Sequence, residues 1–153
     1  MIKSPSAVSA GLSILGGAVF GVLGVVHALY TLLDLGDPRR LVPADPSVRD
    51  AMANSALRLS SGATDMWRVW VGLNLTHSLG LLLLAALGIW TGTRTGGVSS
   101  GTMLGLTLVG CIYVIVALLY FYRAPAIGVA IGAGCFAAAW ILSVSRCGFR
   151  LPI

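Results

Sequence analysis

Four apolar runs, roughly residues 8–33, 66–91, 102–121 and 125–145, account for most of this chain. A segment needs about 20 predominantly apolar residues to cross a bilayer as a helix, and all four runs are long enough. In hydrocarbon such a run must be helical, because each backbone N–H and C=O has to be satisfied within its own segment. The charge content agrees: only 10% of the 153 residues are charged, against about a quarter in an ordinary soluble domain. The expected fold is all-α, an integral membrane four-helix bundle in the lipid bilayer. One transmembrane domain over 1–153 is the natural count, since four spans leave no residues for a second core.

Lys3 ahead of the first run invites a signal-peptide reading. The run is too long for one, and it leads into His27, Tyr30 and Asp34 rather than a small-residue cleavage site. It is therefore expected to be a retained helix. Small residues recur at helix-contact spacing, Gly17 with Gly21 in the first run and Gly128 with Gly132 in the fourth. Such Gly-rich faces let backbones approach, within one chain or between copies in a homo-oligomer. Pro125 suits the first turn of the fourth helix, and the stretch from Thr91 to Gly101 reads as a solvent loop. Cys111, Cys135 and Cys147 have no CxxC spacing, so neither a disulfide framework nor a metal site is expected.

The connection between the first two spans, some 30 residues, is too long for an unstructured loop in so small a bundle. Asp45 and Pro46 look like an N-cap and first helical position. Val48, Met52, Ser55/Ala56 and Leu59 follow at helical spacing. A short amphipathic helix over about 46–59 is expected, ended by Ser60, Ser61 and Gly62, with Thr64 or Asp65 capping the second span.

The net charge of +5 does not point to nucleic acid, because the ten Lys and Arg are spread over every non-membrane segment. All five acidic residues, Asp34, Asp37, Asp45, Asp50 and Asp65, lie on one side of the bundle, with Arg39, Arg40, Arg49, Arg58, Arg68 and Arg123. Lys3, Arg94, Arg146 and Arg150 lie on the other. The positive-inside rule counts Lys and Arg alone, and its balance becomes a tie if Arg58 and Arg68 belong to a site, so orientation stays open.

His27, Tyr30, Thr31 and Asp34 share one face of the first span, and Trp67, Trp70, Asn74, His77 and Ser78 share one face of the second. Each histidine lies seven residues from the same rim, about 10 Å along its helix. Polar groups at that depth are costly unless they pair or line a wet cavity. Either stripe alone reads as hydrogen-bonding glue between helices, and Trp67 and Tyr120 read as an interfacial aromatic belt. Two stripes at matched depth point to a site. Asp34, His77, His27 and Tyr30 are the candidate catalytic groups. Arg68, Trp70, Asn74, Ser78 and Tyr113 are the candidate substrate-binding ones, with Arg68 expected to hold Asp34 ionised.

The segments His27-Ala28-Leu29-Tyr30 and Met66-Trp67-Arg68-Val69-Trp70-Val71-Gly72-Leu73-Asn74-Leu75-Thr76-His77-Ser78-Leu79-Gly80 resemble a family of small, uncharacterised four-span bacterial membrane proteins. The resemblance covers roughly the first 80 residues and implies the four-span architecture and a bacterial cytoplasmic membrane, without a reaction. A looser analogy is to the sterol-isomerase and sigma-2-like membrane proteins, whose polar side chains line an intramembrane pocket. This chain has no Glu and no matching motif order.

The function expected from these residues is binding or transforming a lipophilic substrate, isoprenoid, sterol-like or quinone-like, by acid–base chemistry in an intramembrane polar pocket, with no cofactor. One alternative is a non-catalytic membrane subunit or lipid-binding protein. A further one is a b-type haem or quinone redox protein using His27 and His77. The chain has no P-loop, GxSxG elbow or His-Glu-x-x-His helix, so nucleotide hydrolysis, serine hydrolysis and zinc proteolysis have no support.

Overall fold

The computed structural model describes residues 7–58, 62–94 and 99–147, without the side chains of Arg146 and Cys147. The fold is all-α. Helices α1 (Ala7–Gly36), α2 (Pro46–Ala53), α3 (Met66–Thr93), α4 (Ser100–Tyr120) and α5 (Arg123–Cys147) follow in order. All but α2 are long and apolar enough to cross a membrane, which makes the chain a multi-pass membrane protein. The chain divides into two compact units. One holds α1 to Leu23, α3 from Leu81, α4 and α5; the other is Gly24–Gly80.

In the first unit, four helices pack around a pair of fully buried rings. Phe20 and Phe136 stack with centroids 5.5 Å apart and planes 7° from parallel, and Tyr113 meets Phe20 edge-on at 6.2 Å. Glycines make room for the rings. A Cβ at Gly88 would lie 2.7 Å from Phe136, and one at Gly132 2.8 Å from Phe20. Gly17 is tighter in kind, since a Cβ there would meet backbone, Ala85 O at 2.8 Å and Ile89 N at 2.9 Å. Gly17, Gly128 and Gly132 are thus taken up by contacts within the chain. Hydroxyls add cross-helix bonds: Ser13 Oγ donates to Gly88 O at 2.7 Å and Ser9 Oγ to Ala139 O at 3.1 Å. With lipid as solvent, such close packing and hydrogen bonding replace the hydrophobic drive that joins helices in water.

The second unit pairs the later part of α1 with the first part of α3 and folds the connection between them. Helix α1 runs past the expected end at 33 to Gly36, so Asp34 is helical. As expected, Asp45 caps α2, accepting from Ser47 N at 2.9 Å, with Pro46 at the first position. Helix α2 stops at Ala53, short of the expected 59. Asn54 Nδ2 donates to Asp50 O at 2.8 Å and Ser55 Oγ to Ala51 O at 2.7 Å. The Ser55 hydroxyl thus takes Ala51 O while its own N–H turns to Met52 O, which ends the helix, and Asp50 O keeps its bond from Asn54 N. Leu59, Ser60 and Ser61 lie outside the described residues. The expected apolar face also differs, because Val48 is 46% exposed and no α2 residue is fully buried. After α2 the chain doubles back, with Leu57 N bonded to Thr64 O and Met66 N to Ser55 O. Gly62, at φ +88°, makes the reversal, a backbone region that favours glycine. Asp65 then caps α3 by accepting from Arg68 N at 2.8 Å.

Candidate functional site

The two polar stripes meet inside the second unit. His27 Nε2 and Asn74 Oδ1 are 2.9 Å apart, and the His27 and His77 rings touch, their centroids 5.0 Å apart and planes tilted by 59°. The asparagine decides the tautomer. Its Nδ2 donates to Trp70 O at 2.8 Å, so the atom facing His27 is the carbonyl oxygen, an acceptor. His27 must therefore donate through Nε2, and in the neutral ring Nδ1 carries the lone pair. Both imidazoles are partly exposed. Around them, Thr31 Oγ1 donates to His27 O and Ser78 Oγ to Asn74 O, each at 2.9 Å. These back-bonds satisfy the hydroxyls within their own helices.

Asp34 has a different task from the acid or base expected of it. Its side chain is 4% exposed and accepts from three consecutive backbone amides, Arg39 N at 2.9 Å, Arg40 N at 3.1 Å and Leu41 N at 2.6 Å. Arg40 Nη1 adds an ion pair at 3.6 Å. The carboxylate is thus committed to binding the chain that leaves α1. Trp70 completes the fastening from α3, its Nε1 donating to Leu41 O at 2.8 Å. The expected Arg68–Asp34 pairing does not form. Arg68 is on the first turn of α3 and pairs with its own cap, Asp65, at 3.4 Å, because a partner three residues away costs less ordering entropy than one across the unit. Tyr30 is 44% exposed, with the Arg40 guanidinium 5.8 Å from its ring centroid. Tyr113 lies in the other unit, against Phe20.

Of the residues singled out in the sequence, the fold brings His27, Asn74 and His77 into one cluster, buttressed by Thr31 and Ser78. Asp34 and Trp70 form a second group with Arg40 and Leu41, and no pattern in the sequence marks those two as partners. Axial ligation of a haem does not fit the histidines. Bis-imidazole ligation puts one ring on each face of a macrocycle, whereas these rings are in direct contact and His27 Nε2 is engaged by Asn74.

No family model, curated protein or solved structure matches this chain. The functional reading therefore rests on the chemistry of the site itself.

Proposed function

We propose that this multi-pass protein, in a bacterial cytoplasmic membrane as its family resemblance implies, takes a lipophilic molecule with a hydrogen-bonding oxygen against the His27–His77 pair. An isoprenoid, sterol-like or quinone-like molecule has that chemistry, and proton transfer is what the site offers it. The observation that carries the reading is the oriented imidazole: Asn74 holds His27 as the Nε2–H tautomer, leaving Nδ1 as a base beside a second imidazole. His77 is the complementary donor or acceptor, and Tyr30 supplies a hydroxyl one helical turn along α1. Asp34 serves as a positioning residue, by fixing the segment that receives Trp70. The test is mass spectrometry of small molecules that co-purify with the protein in mild detergent. A molecule retained by the parent protein should fall about tenfold in His27→Ala and His77→Ala, the loss expected for roughly 1.4 kcal/mol of binding. Equal retention in all three proteins would refute the site.

A specific observation favours a second reading, that of a non-catalytic lipid-binding protein or membrane subunit. Asp34, Trp70, Asn74, Thr31 and Ser78 all have hydrogen-bond partners within the chain, which is what helix-registering polar groups need and no more. On that reading a bound lipid is retained equally by the parent and both histidine variants, and no chemically altered form of it accumulates.

A further inference from the structure

Arg49 differs from the other arginines of the second unit, of which Arg58 is exposed and three are ion-paired. Arg39, Arg40 and Arg68 are in ion pairs with Asp37, Asp34 and Asp65. Among the described residues Arg49 is in none, although Asp50 adjoins it in sequence. Its guanidinium instead lies over the Trp67 ring, 5.6 Å from the centroid, and its Nε is shut away from solvent with no hydrogen-bond acceptor. A closed-off cationic donor without an acceptor is unfavourable and calls for a reason. The cation–π contact holds the guanidinium beside the Trp67 ring. A guanidinium is a planar fork of donors that matches the oxygens of a phosphate.

The placement indicates where the phosphate comes from. Trp67 is the second residue of α3, a membrane-crossing helix, and an aromatic ring there belongs at the level of the lipid headgroups. Positions 67, 70, 74 and 77 follow one face of α3, so Trp67 is at the rim end of the stripe that leads to His77, about 15 Å along the helix.

We propose that Arg49, lying over Trp67, is a recognition point for an anionic phosphate group at the headgroup level, carried on a membrane lipid. The site stands whether or not the histidine pair does chemistry.

The experiment is thermal unfolding of the full chain in a mild non-ionic detergent, titrated separately with phosphatidic acid, phosphatidylcholine and inorganic phosphate. Phosphatidic acid should raise Tm by about 5 °C at saturation. The shift should vanish in Arg49→Gln, shrink in Arg49→Lys, which keeps the charge without the fork, and persist in Arg39→Gln and His77→Ala. An Arg49-dependent rise with inorganic phosphate alone would assign the same site to a free phosphate. The proposal is overturned if Arg49→Gln responds like the parent protein, if phosphatidylcholine gives the full shift, or if neither phosphate probe gives any. Should Arg49→Gln fail to purify, Arg49→Lys decides, and an undiminished shift there overturns the proposal.

Discussion

Around Phe20 the helices meet through carbon, and glycine sets how near they come. Around Asp34 the chain is gathered by one carboxylate that draws three backbone amides and an arginine onto itself. The contrast follows from what each region has to satisfy. The first unit consists largely of helix interiors whose backbone is already hydrogen-bonded, so only van der Waals fit and an occasional hydroxyl, such as Ser13 on Gly88 O, remain to hold it. The second contains the turn out of α1, whose amides have no helical partner and need an acceptor. At Gly17, Gly88 and Gly132 the one tolerates no added volume; at Asp34 the other tolerates no lost acceptor.

The comparison is broken most severely by volume. Gly17→Val would place new carbon against the Ala85 and Ile89 backbone, at the upper end of overpacking costs, about 3 kcal/mol or more. Little folded protein should survive detergent extraction, as read by size-exclusion chromatography. Gly105→Val in the same unit, where a Cβ meets nothing within 4 Å, should be nearly silent in the same assay. Equal behaviour of the two variants would remove packing as the basis of the first unit.

Removing the acceptor comes next. Asp34→Ala orphans the Arg39, Arg40 and Leu41 amides and should cost about 2–3 kcal/mol. Hydrogen exchange should rise at 39–41 and at the start of α3, where Trp70 loses its anchored partner, and stay unchanged around Phe20. Uniform acceleration across the chain would show that both regions depend on the same acceptor.

The smallest effect is electrostatic. The hydroxyl and backbone N–H of Ser47 hold the Asp45 carboxyl below the usual aspartate range. A folded-state value below the unfolded one means that the cap stabilises α2 at neutral pH and is lost as pH falls through the folded-state value. Protection of the α2 amides should therefore fade only in acid, and Asp45→Asn should flatten that dependence. A fade near neutral pH would assign it to another group.

Some of the site was legible beforehand because it depends on periodicity alone. Seven-residue steps on two antiparallel helices put His27 and His77 at one depth, and they touch. The Asp45-Pro46 start of α2 was readable for the same local reason. Arg68 shows where that reading fails. It was the nearest cation to the second stripe, but its own cap, three residues away, claims it, while Asp34 is met by a loop whose path no spacing describes. Arg49 shares no helical spacing with Trp67, and only the way the connection folds back brings it over that ring.

What the sequence determined by itself was the solvent, the number of spans and the all-α class, since apolar length against bilayer thickness leaves few alternatives. It also determined which polar residues share a helix face. Only the tertiary structure decided the partners: Asn74 rather than a substrate oxygen on His27 Nε2, backbone amides rather than Arg68 on Asp34, and Phe136 on Phe20. Helical faces are set by a fixed rotation per residue, whereas partners are set by where loops return and how near glycines let helices come, and both are properties of the whole chain.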